Sequence, residues 1–245
     1  MHQTLIIVIG LLVLSVVSGM LGLGVAFAAV PFLGLFLLDL VHQVQPLSLL
    51  LNGLTAMFST IGFSRSGYVD WRRGGLLAAL TTVFAPVGGY VAQHSRQIHI
   101  WYIYFFAVIY LAYRLFKPAK TALAKPNFRL ALGLSIPISI LSGFLGVGPG
   151  FLLMPTLILV GFEAKHAAGM NALAVTPPSF SALIPHLSTA QFNLHLTVAL
   201  LVVGAIGSYI GARMTSLYMP SGRIKQLFGV LIVLTTLYKI FTLVR

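Results

Sequence analysis

The chain has 245 residues, of which 58% are hydrophobic and only 7% are charged, and its mean hydropathy is +1.00. Soluble domains carry charge on about a quarter of their residues, so this composition excludes a soluble globular protein. Lys and Arg (15) far outnumber Asp and Glu (3). In a membrane protein such an excess reports the topology of the loops, which removes the argument for nucleic-acid binding. The sequence has no cysteine, which excludes disulfides and Cys-ligated metals.

Stretches without Asp, Glu, Lys or Arg indicate the membrane-embedded part, because a charge at the bilayer centre is costly. Four of these windows each fit one helix, the last with Lys239 at its end: 40–64, 74–95, 97–113 and 226–238. The window 166–212 fits two helices joined by a polar turn at 187–193. The N-terminus lacks the features of a signal peptide, so we expect its apolar segment to be retained.

The two remaining windows, 1–38 and 130–162, are too long for one helix and too short for two complete ones. Glycines interrupt each of them, and we predict two short helices in each window that meet within the membrane. Irregular backbone is tolerated there only when protein or a cavity surrounds it. Broken helices at this depth are typical of transporters.

The two glycine-rich windows also match each other without a gap. Residues 18–24 read S-G-M-L-G-L-G and residues 142–148 read S-G-F-L-G-V-G, at a constant offset of 124. Further matched pairs follow in the same order: Phe27 and Phe151, Pro31 and Pro155, Asn52 and Asn171, Asp70 and Asn193, and Gly88 and Gly211. We therefore predict a duplication, with a first repeat at 1–118, a basic linker at 119–129 and a second repeat at 130–245.

Each predicted half crosses the membrane an odd number of times, so the halves should have opposite orientations. Placing the linker in the cytoplasm also places twelve of the fifteen basic residues there and leaves three outside, Arg96, Lys239 and Arg245, as the positive-inside rule favours. We predict an all-α polytopic protein of the cell inner membrane. It comprises two inverted-topology repeats, each a short broken-helix hairpin plus three transmembrane helices, with both termini periplasmic.

The repeated motif, best developed as S-G-F-L-G-V-G-P-G-F-L-L-M-P at 142–155, resembles the glycine-rich repeat of the TauE/SafE permeases, the sulfite exporter family. The run G-Y-V-D-W-R at 67–72 is similar to the loop that enters the next helix in that family. The resemblance implies transport of sulfite, sulfonates or other small anions. One departure is that Gly24-Val25-Ala26 stands where the second copy has Gly148-Pro149-Gly150, so we expect a weaker first site or a different substrate.

A helix that restarts inside the membrane presents unpaired N–H groups with partial positive charge, and glycine lets a ligand approach them. The predicted substrate contacts are therefore Gly22, Gly24, Gly146, Gly148 and Gly150. The alternative is that these glycines only permit close helix packing.

Neutral side chains supply the other candidate ligands. Asn52 and Asn171 occupy matched positions and can donate amide hydrogens to an oxyanion, although an interhelical hydrogen bond is the alternative. Ser18, Ser142 and Thr176 are lesser candidates, because such hydroxyls often bond to their own helix backbone.

The residue types in the sequence argue against catalysis and against a metal site. The seven histidines show no metal-binding spacing, and no nucleophile stands beside a base, so we predict no metal, no cofactor and no enzymatic activity. His186, at the expected outer end of a helix, is the best candidate for a proton carrier, with an interfacial histidine as the alternative. Because no window holds a carboxylate, coupling through a buried acid is disfavoured.

The sequence therefore predicts a permease that moves a small oxyanion, sulfite or an organosulfonate, by alternating access. A passive anion channel of the same fold is the alternative. The expected partners are the small anionic substrate and the lipid bilayer, without nucleic acid, and the oligomeric state stays open.

Overall fold

The computed structural model describes residues 2–116, 126–220, 223 and 226. These residues form helices joined by short loops, and no strand occurs among them. The α-helices are α1 His2–Leu21, α2 Ala26–Leu33, α3 Gln45–Ser64, α4 Trp71–Gln93, α5 Gln97–Phe116, α6 Phe128–Leu145, α7 Gly150–Leu159, α8 Ala164–Leu183 and α9 Leu194–Tyr218. A π-helical turn at Leu40–Val44 precedes α3, and a 3₁₀ turn at Ile184–His186 follows α8.

Five of these segments are long and apolar enough to cross a bilayer: α1, α3 with its preceding turn, α4, α6 and α9. This confirms the predicted all-helical, polytopic membrane architecture. The window 166–212 divides into α8 and α9 around the polar turn as predicted. All but the first residue of the predicted helix at 226–238, and most of the predicted linker, lie outside the described residues.

The prediction of two short helices in each glycine-rich window is wrong for the first helix of each pair. Helix α1 has 20 residues and α6 has 18, whereas α2 has 8 and α7 has 10. The reason is the position of the glycine stop signal. The left-handed glycines Gly22 and Gly146 come only after 20 and 18 helical residues, so the first helix reaches full length and only the second is short.

Two close helix pairs depend on small residues. Helix α1 packs along α9, and α6 packs along α4. A Cβ atom at Gly211 would collide with the carbonyl oxygen of Val16, and one at Gly88 would collide with that of Ile140. Bare backbone at these positions lets the helix axes approach closely, as small residues commonly do in membranes.

Helices α3 and α8 form the centre of the bundle. They pack on each other, and α3 also packs on α9 while α8 packs on α4. The contacts show that α3 and α8 are antiparallel, since Val41 before α3 contacts His186 after α8, whereas Tyr68 after α3 contacts Gly169 near the start of α8. The bundle thus has two ends that differ in charge.

We call the end where α3 and α9 finish and α4 and α8 begin the basic end. Cationic residues at this end include Arg65, Arg72, Arg73, Arg129, Lys165 and Arg213. The opposite end holds the other titratable groups near the π-helical turn and the α4–α5 loop: Asp39, His42, His94, Arg96 and His186.

The packing of α4 on α6 gives a direct test. We expect Gly88→Ala to lower the melting temperature, because overpacking typically costs about 1–3 kcal/mol and the added methyl meets the backbone of α6. Gly75→Ala in the same helix is the matched control, since nothing lies within 4 Å of a Cβ there and alanine favours the helix by up to about 1 kcal/mol. Thermal unfolding in one detergent compares the two, and equal melting temperatures would contradict the packing.

Candidate functional site

Both α1 and α6 end in the same hydrogen-bonded turn. The N–H of Gly22 donates to the carbonyl of Gly19 (3.1 Å), and the N–H of Leu23 donates to the carbonyl of Ser18 (3.1 Å). The same two bonds recur after α6, from Gly146 to Gly143 and from Val147 to Ser142. This pair of bonds is the Schellman motif, which needs a left-handed residue. Gly22 provides it, with φ of +63°.

A second left-handed glycine follows each turn and redirects the chain into the next helix. Gly24 has φ of +71° and Gly148 has φ of +67°. Every residue at 18–31 and 142–155 is buried. We call 22–25 the first break and 146–149 the second break. The irregular backbone of both is thus enclosed by protein, as a membrane interior requires.

The two breaks lie against each other at the centre of the bundle. The rings of Phe27 and Phe151 stack with centroids 5.3 Å apart and an interplanar angle of 15°. A Cβ atom at either Gly24 or Gly148 would collide with the side chain of Asn52. Asn52 on α3 therefore lies between the two breaks.

Side chains of α3 cap the helix that starts after the first break. The Oδ1 atom of Asn52 accepts a hydrogen bond from the N–H of Ala26 (2.8 Å), and the Oγ1 atom of Thr55 accepts one from the N–H of Val25 (3.0 Å). The amide nitrogen of Asn52 also donates to Oγ of Ser179 on α8 (2.8 Å). The N-terminus of α2 is thereby satisfied within the protein.

The second break is arranged differently. Pro149 has no N–H, and Ala174 stands three residues after Asn171, where α3 has Thr55 three residues after Asn52. Asn171 donates to the carbonyl of Gly22 (2.7 Å), and its Oδ1 atom has no partner in the described part of the chain. The N–H of Gly150 likewise finds no acceptor there. The N-terminus of α7 thus keeps an uncapped donor.

The candidate hydroxyls divide into two kinds. The Oγ atoms of Ser18 and Ser142 are fully buried and have no hydrogen-bond partner among the described residues. Thr176 instead donates to the carbonyl of Ala172 in its own helix (3.0 Å), which was its alternative interpretation. Helix α8 continues past it through Pro177 and Pro178.

The five candidate glycines all pack against protein atoms. In addition to the contacts with Asn52, a Cβ atom at Gly22 would collide with the carbonyl of Ala168, and one at Gly150 with that of Leu23. At Gly146 it would meet the side chain of Gln45. Close packing therefore accounts for the residue type at each position. The N–H groups of Gly22 and Gly146 already donate to carbonyls within the Schellman turns. Among the five glycines, a ligand could therefore contact only the N–H groups of Gly24, Gly148 or Gly150.

Three contacting residues were absent from the sequence prediction. Thr55 and Ser179 hydrogen-bond at the breaks as described, and the amide nitrogen of Gln45 donates to the carbonyl of Phe144 at the end of α6 (3.1 Å). Thr55 was detectable, because it lies one turn from Asn52 on the same helix face. Nothing in the sequence distinguishes Ser179 or Gln45 from other polar residues near apolar windows.

Two cavities lie away from the breaks. One of about 420 Å³ is an apolar groove along α6 and α7, with Leu134, Pro137 and Pro155 in its wall. The other, of about 310 Å³, lies at the basic end beside Asp70, Glu163 and His166. The described residues contain no cluster of acids and histidines that could hold a metal ion.

The three carboxylates lie at the ends of the bundle. Asp39 accepts hydrogen bonds from the N–H groups of Val41 and His42 and contacts Nδ1 of His42 at 2.7 Å. Partial burial raises the pKa of Asp39, but these bonds and the charge of His42 outweigh it and leave the pKa below its ordinary value. His186 lies at the same end of the bundle as Asp39 and is fully buried within the protein, with Nδ1 at 2.6 Å from the amide nitrogen of Gln93.

The hydrogen bonds of Asn52 and Thr176 predict different losses of stability when each residue is replaced by an apolar one. We expect Asn52→Leu to destabilise the protein by about 1–3 kcal/mol, because it leaves the buried N–H of Ala26 without an acceptor. Thr176→Val should cost much less, since the carbonyl of Ala172 keeps its helical bond. Unfolding in detergent at matched conditions measures both, and equal losses would contradict a capping role for Asn52.

Comparison with known proteins gives one consistent result. The family model described as Sulfite exporter TauE/SafE matches residues 6–239. A "Probable membrane transporter protein YdhB" of Bacillus subtilis (strain 168) is 22% identical over 231 residues, covering 91% of this chain and 94% of that protein. A "Probable membrane transporter protein" of Xylella fastidiosa (strain Temecula1 / ATCC 700964) is 25% identical over 237 residues, covering 91% and 89%. No solved structure matches.

Proposed function

Because the chain belongs to the sulfite exporter TauE/SafE family of membrane transporters, we propose that it moves a small oxyanion, sulfite or an organosulfonate, by alternating access. The observation that carries this proposal is the set of buried polar groups without partners beside the two breaks. Ser18 and Ser142 leave hydroxyls unpaired, and α7 begins with an uncapped N–H. Such groups are costly to bury, and a bound anion would satisfy them.

The chemistry of these groups suits a weakly held oxyanion. The N–H groups at the start of α7 carry the positive end of the helix dipole, and the serine hydroxyls add neutral donors. Among the residues that the structure describes, no Lys or Arg lies beside the breaks, which favours easy release of the anion. The hydrogen form of sulfite also offers a proton to the unpaired Oδ1 atom of Asn171, and so can carry its own proton across.

The packing supports two inverted halves divided as 1–118 and 130–245. Under that division α1, α3 and α4 correspond to α6, α8 and α9. The pair α1–α9 then corresponds to α6–α4, and the pair α3–α9 to α8–α4, and all four pack closely. The matched residues Asp70 and Asn193 also share a role, since each caps its helix by accepting from the N–H three residues later (2.9 and 3.2 Å).

The burial of both breaks supports a carrier more than a pore. Because every residue at 18–31 and 142–155 is buried, an anion reaches the breaks only when the surrounding helices move. A carrier cycle requires such movement, whereas an open channel does not. The names of the two relatives also describe transporters, so the passive channel is not favoured.

A substitution of Ser142, the serine on α6 whose hydroxyl has no partner among the described residues, can distinguish a role in ligand binding from a role in packing. We expect Ser142→Ala to leave the unliganded protein as stable as the parent or slightly more stable, because an unsatisfied buried hydroxyl is removed. Sulfite at a hundred times its dissociation constant should stabilise the parent by about 2.7 kcal/mol and the variant by clearly less. Thermal shift in detergent and sulfite uptake into liposomes measure the two effects.

Ser139→Ala is the control for the serine experiment. Its hydroxyl donates to the carbonyl of Thr81 (2.6 Å), so its loss should lower stability and leave the sulfite response unchanged. A Ser142→Ala protein with the full sulfite response would remove that hydroxyl from the site. A parent protein that moves neither sulfite nor sulfoacetate would contradict the proposed substrate class.

The inverted arrangement predicts the location of the linker and the C-terminus. A reporter fused after Lys120 should be cytoplasmic, and one fused after Arg245 should be periplasmic, because the second half crosses the membrane an odd number of times. Protease protection in inside-out and right-side-out vesicles measures both. Reporters found on one side would rule out the odd number of crossings, and with it the inversion.

A further inference from the structure

Three cations meet at the basic end where α3 and α9 finish and α8 begins. Arg213 donates to Oγ of Ser66 (2.9 Å), which also bonds with Oγ of Ser216 (3.0 Å). Lys165 donates to the carbonyl of Ser216 (3.3 Å). Arg65, next to Ser66, donates to the hydroxyl of Tyr209 (2.7 Å), one turn before Arg213. We call Arg65, Lys165 and Arg213 with these two serines the basic cluster.

The positive charge of the basic cluster is not balanced by carboxylates. The ion pairs found among the described residues join Asp39 to His42, Asp70 to Arg73, and Glu163 to His166. Lys165 and Arg213 are nevertheless half-buried, where an unpaired charge is costly. The ammonium of Lys165 also lies 5.2 Å from the centre of the Tyr68 ring. A guanidinium has five N–H donors and an ammonium has three, so the hydrogen bonds to neutral oxygens still leave donors for an anion.

Helix ends explain part of this arrangement but not all of it. The C-terminus of α3 favours a nearby cation, which accounts for Arg65, the residue that directly follows the helix. Arg213 lies before the last turn of α9, so the helix end does not account for it. Lys165 is different, because it lies in the first turn of α8, where the helix dipole disfavours a positive charge. The side chain of Glu163, which precedes α8, makes no capping bond to that turn. Cations and uncapped N–H groups together favour an anion.

Within the described part of the chain, the opposite end of the bundle has no equivalent group. Under the matched numbering of the two halves, Arg65 corresponds to Ile184 and Arg213 corresponds to Tyr90, and neither residue is charged. The two mouths of the proposed pathway therefore differ, with an excess of unpaired positive charge at one of them.

We propose that the basic cluster is a second anion site, which binds an oxyanion at the mouth of the pathway before it reaches the breaks. This inference rests on the proposed function where the oxyanion is the substrate. The sulfonate or sulfite group of a substrate and the phosphate of a lipid headgroup share the chemistry that the cluster recognises, namely several acceptor oxygens and a negative charge. The observations favour the substrate, because the cluster lies at the ends of α3 and α8, the two helices that contact the breaks.

The test compares sulfite transport in phosphatidylcholine liposomes, which contain no anionic lipid. Lys165→Met and Arg213→Gln should each raise the KM for sulfite by about tenfold, the size expected for one charge-assisted hydrogen bond, with kcat nearly unchanged. Arg213→Lys should recover most of the affinity by restoring the charge. Arg73→Gln is the matched control, because it removes the same charge from the same end but from a residue paired with Asp70 (3.6 Å), and its KM should equal that of the parent.

A second arm identifies the source of the oxyanion. If KM is unchanged but phosphatidylglycerol raises the melting temperature of the parent and not of Lys165→Met, the cluster binds lipid headgroups and the oxyanion site stands. If neither sulfite affinity nor the lipid response changes in the variants while the parent transports sulfite, the inference is overturned and the proposed function survives. A parent protein that moves no sulfite would contradict the proposed function. The effect of phosphatidylglycerol on the melting temperature would then show independently whether the basic cluster binds an oxyanion.

Discussion

The central constraint on this protein is that backbone inside a membrane must find its hydrogen bonds within the protein. The two breaks at the centre of the bundle are where backbone groups most need partners, because at each break one helix ends and another starts with four residues between them. The Schellman turns after α1 and α6 satisfy the ends of those helices. The starts of α2 and α7 need further partners, and α3 and α8 are the helices that contact them. Because α3 and α8 both contact the breaks, they also pack on each other there.

The two breaks satisfy the start of the following helix in different ways. At the first break the chain keeps the N–H of Val25, and Thr55 on α3 accepts its hydrogen bond. At the second break Pro149 has no N–H, and Ala174 stands three residues after Asn171, where Thr55 stands three residues after Asn52. Each combination is internally consistent. The consequence is that α2 is capped by protein while α7 keeps an open donor. Under the proposed function, the second break is therefore the one that an anion would prefer.

The positions of the helices and of the two breaks were predictable from residue types, because they depend on the cost of burying charge and on the backbone conformations that each residue allows. Windows without charge marked the helices because the cost of burying a charge is large and local, and the left-handed glycines marked the breaks because few other residues adopt that backbone. The length of α1 and α6 was not predicted, since the window does not show where along it the helix stops. The contacts of Asn52 with Ser179, and of Gln45 with Phe144, depend on helix packing across more than ninety residues of sequence. The free hydroxyls of Ser18 and Ser142 contradicted the usual tendency of serine to bond to its own helix.

The distribution of charge along the proposed pathway fits the demands of transport. A cation at the buried breaks would hold an anion strongly, because electrostatic attraction grows as the effective dielectric falls, and release would be slow. Neutral donors at Ser142 and Gly150 avoid that problem but attract a hydrated anion weakly from bulk water. Lys165 and Arg213 make no ion pair with a carboxylate and are half-buried at the end of the bundle, where solvent screens their charge only in part. They can therefore raise the local anion concentration while holding an anion less strongly than a fully buried cation would. In this proposal, the full charges at the mouth attract the anion, and the partial charges at the centre let it pass without being held tightly.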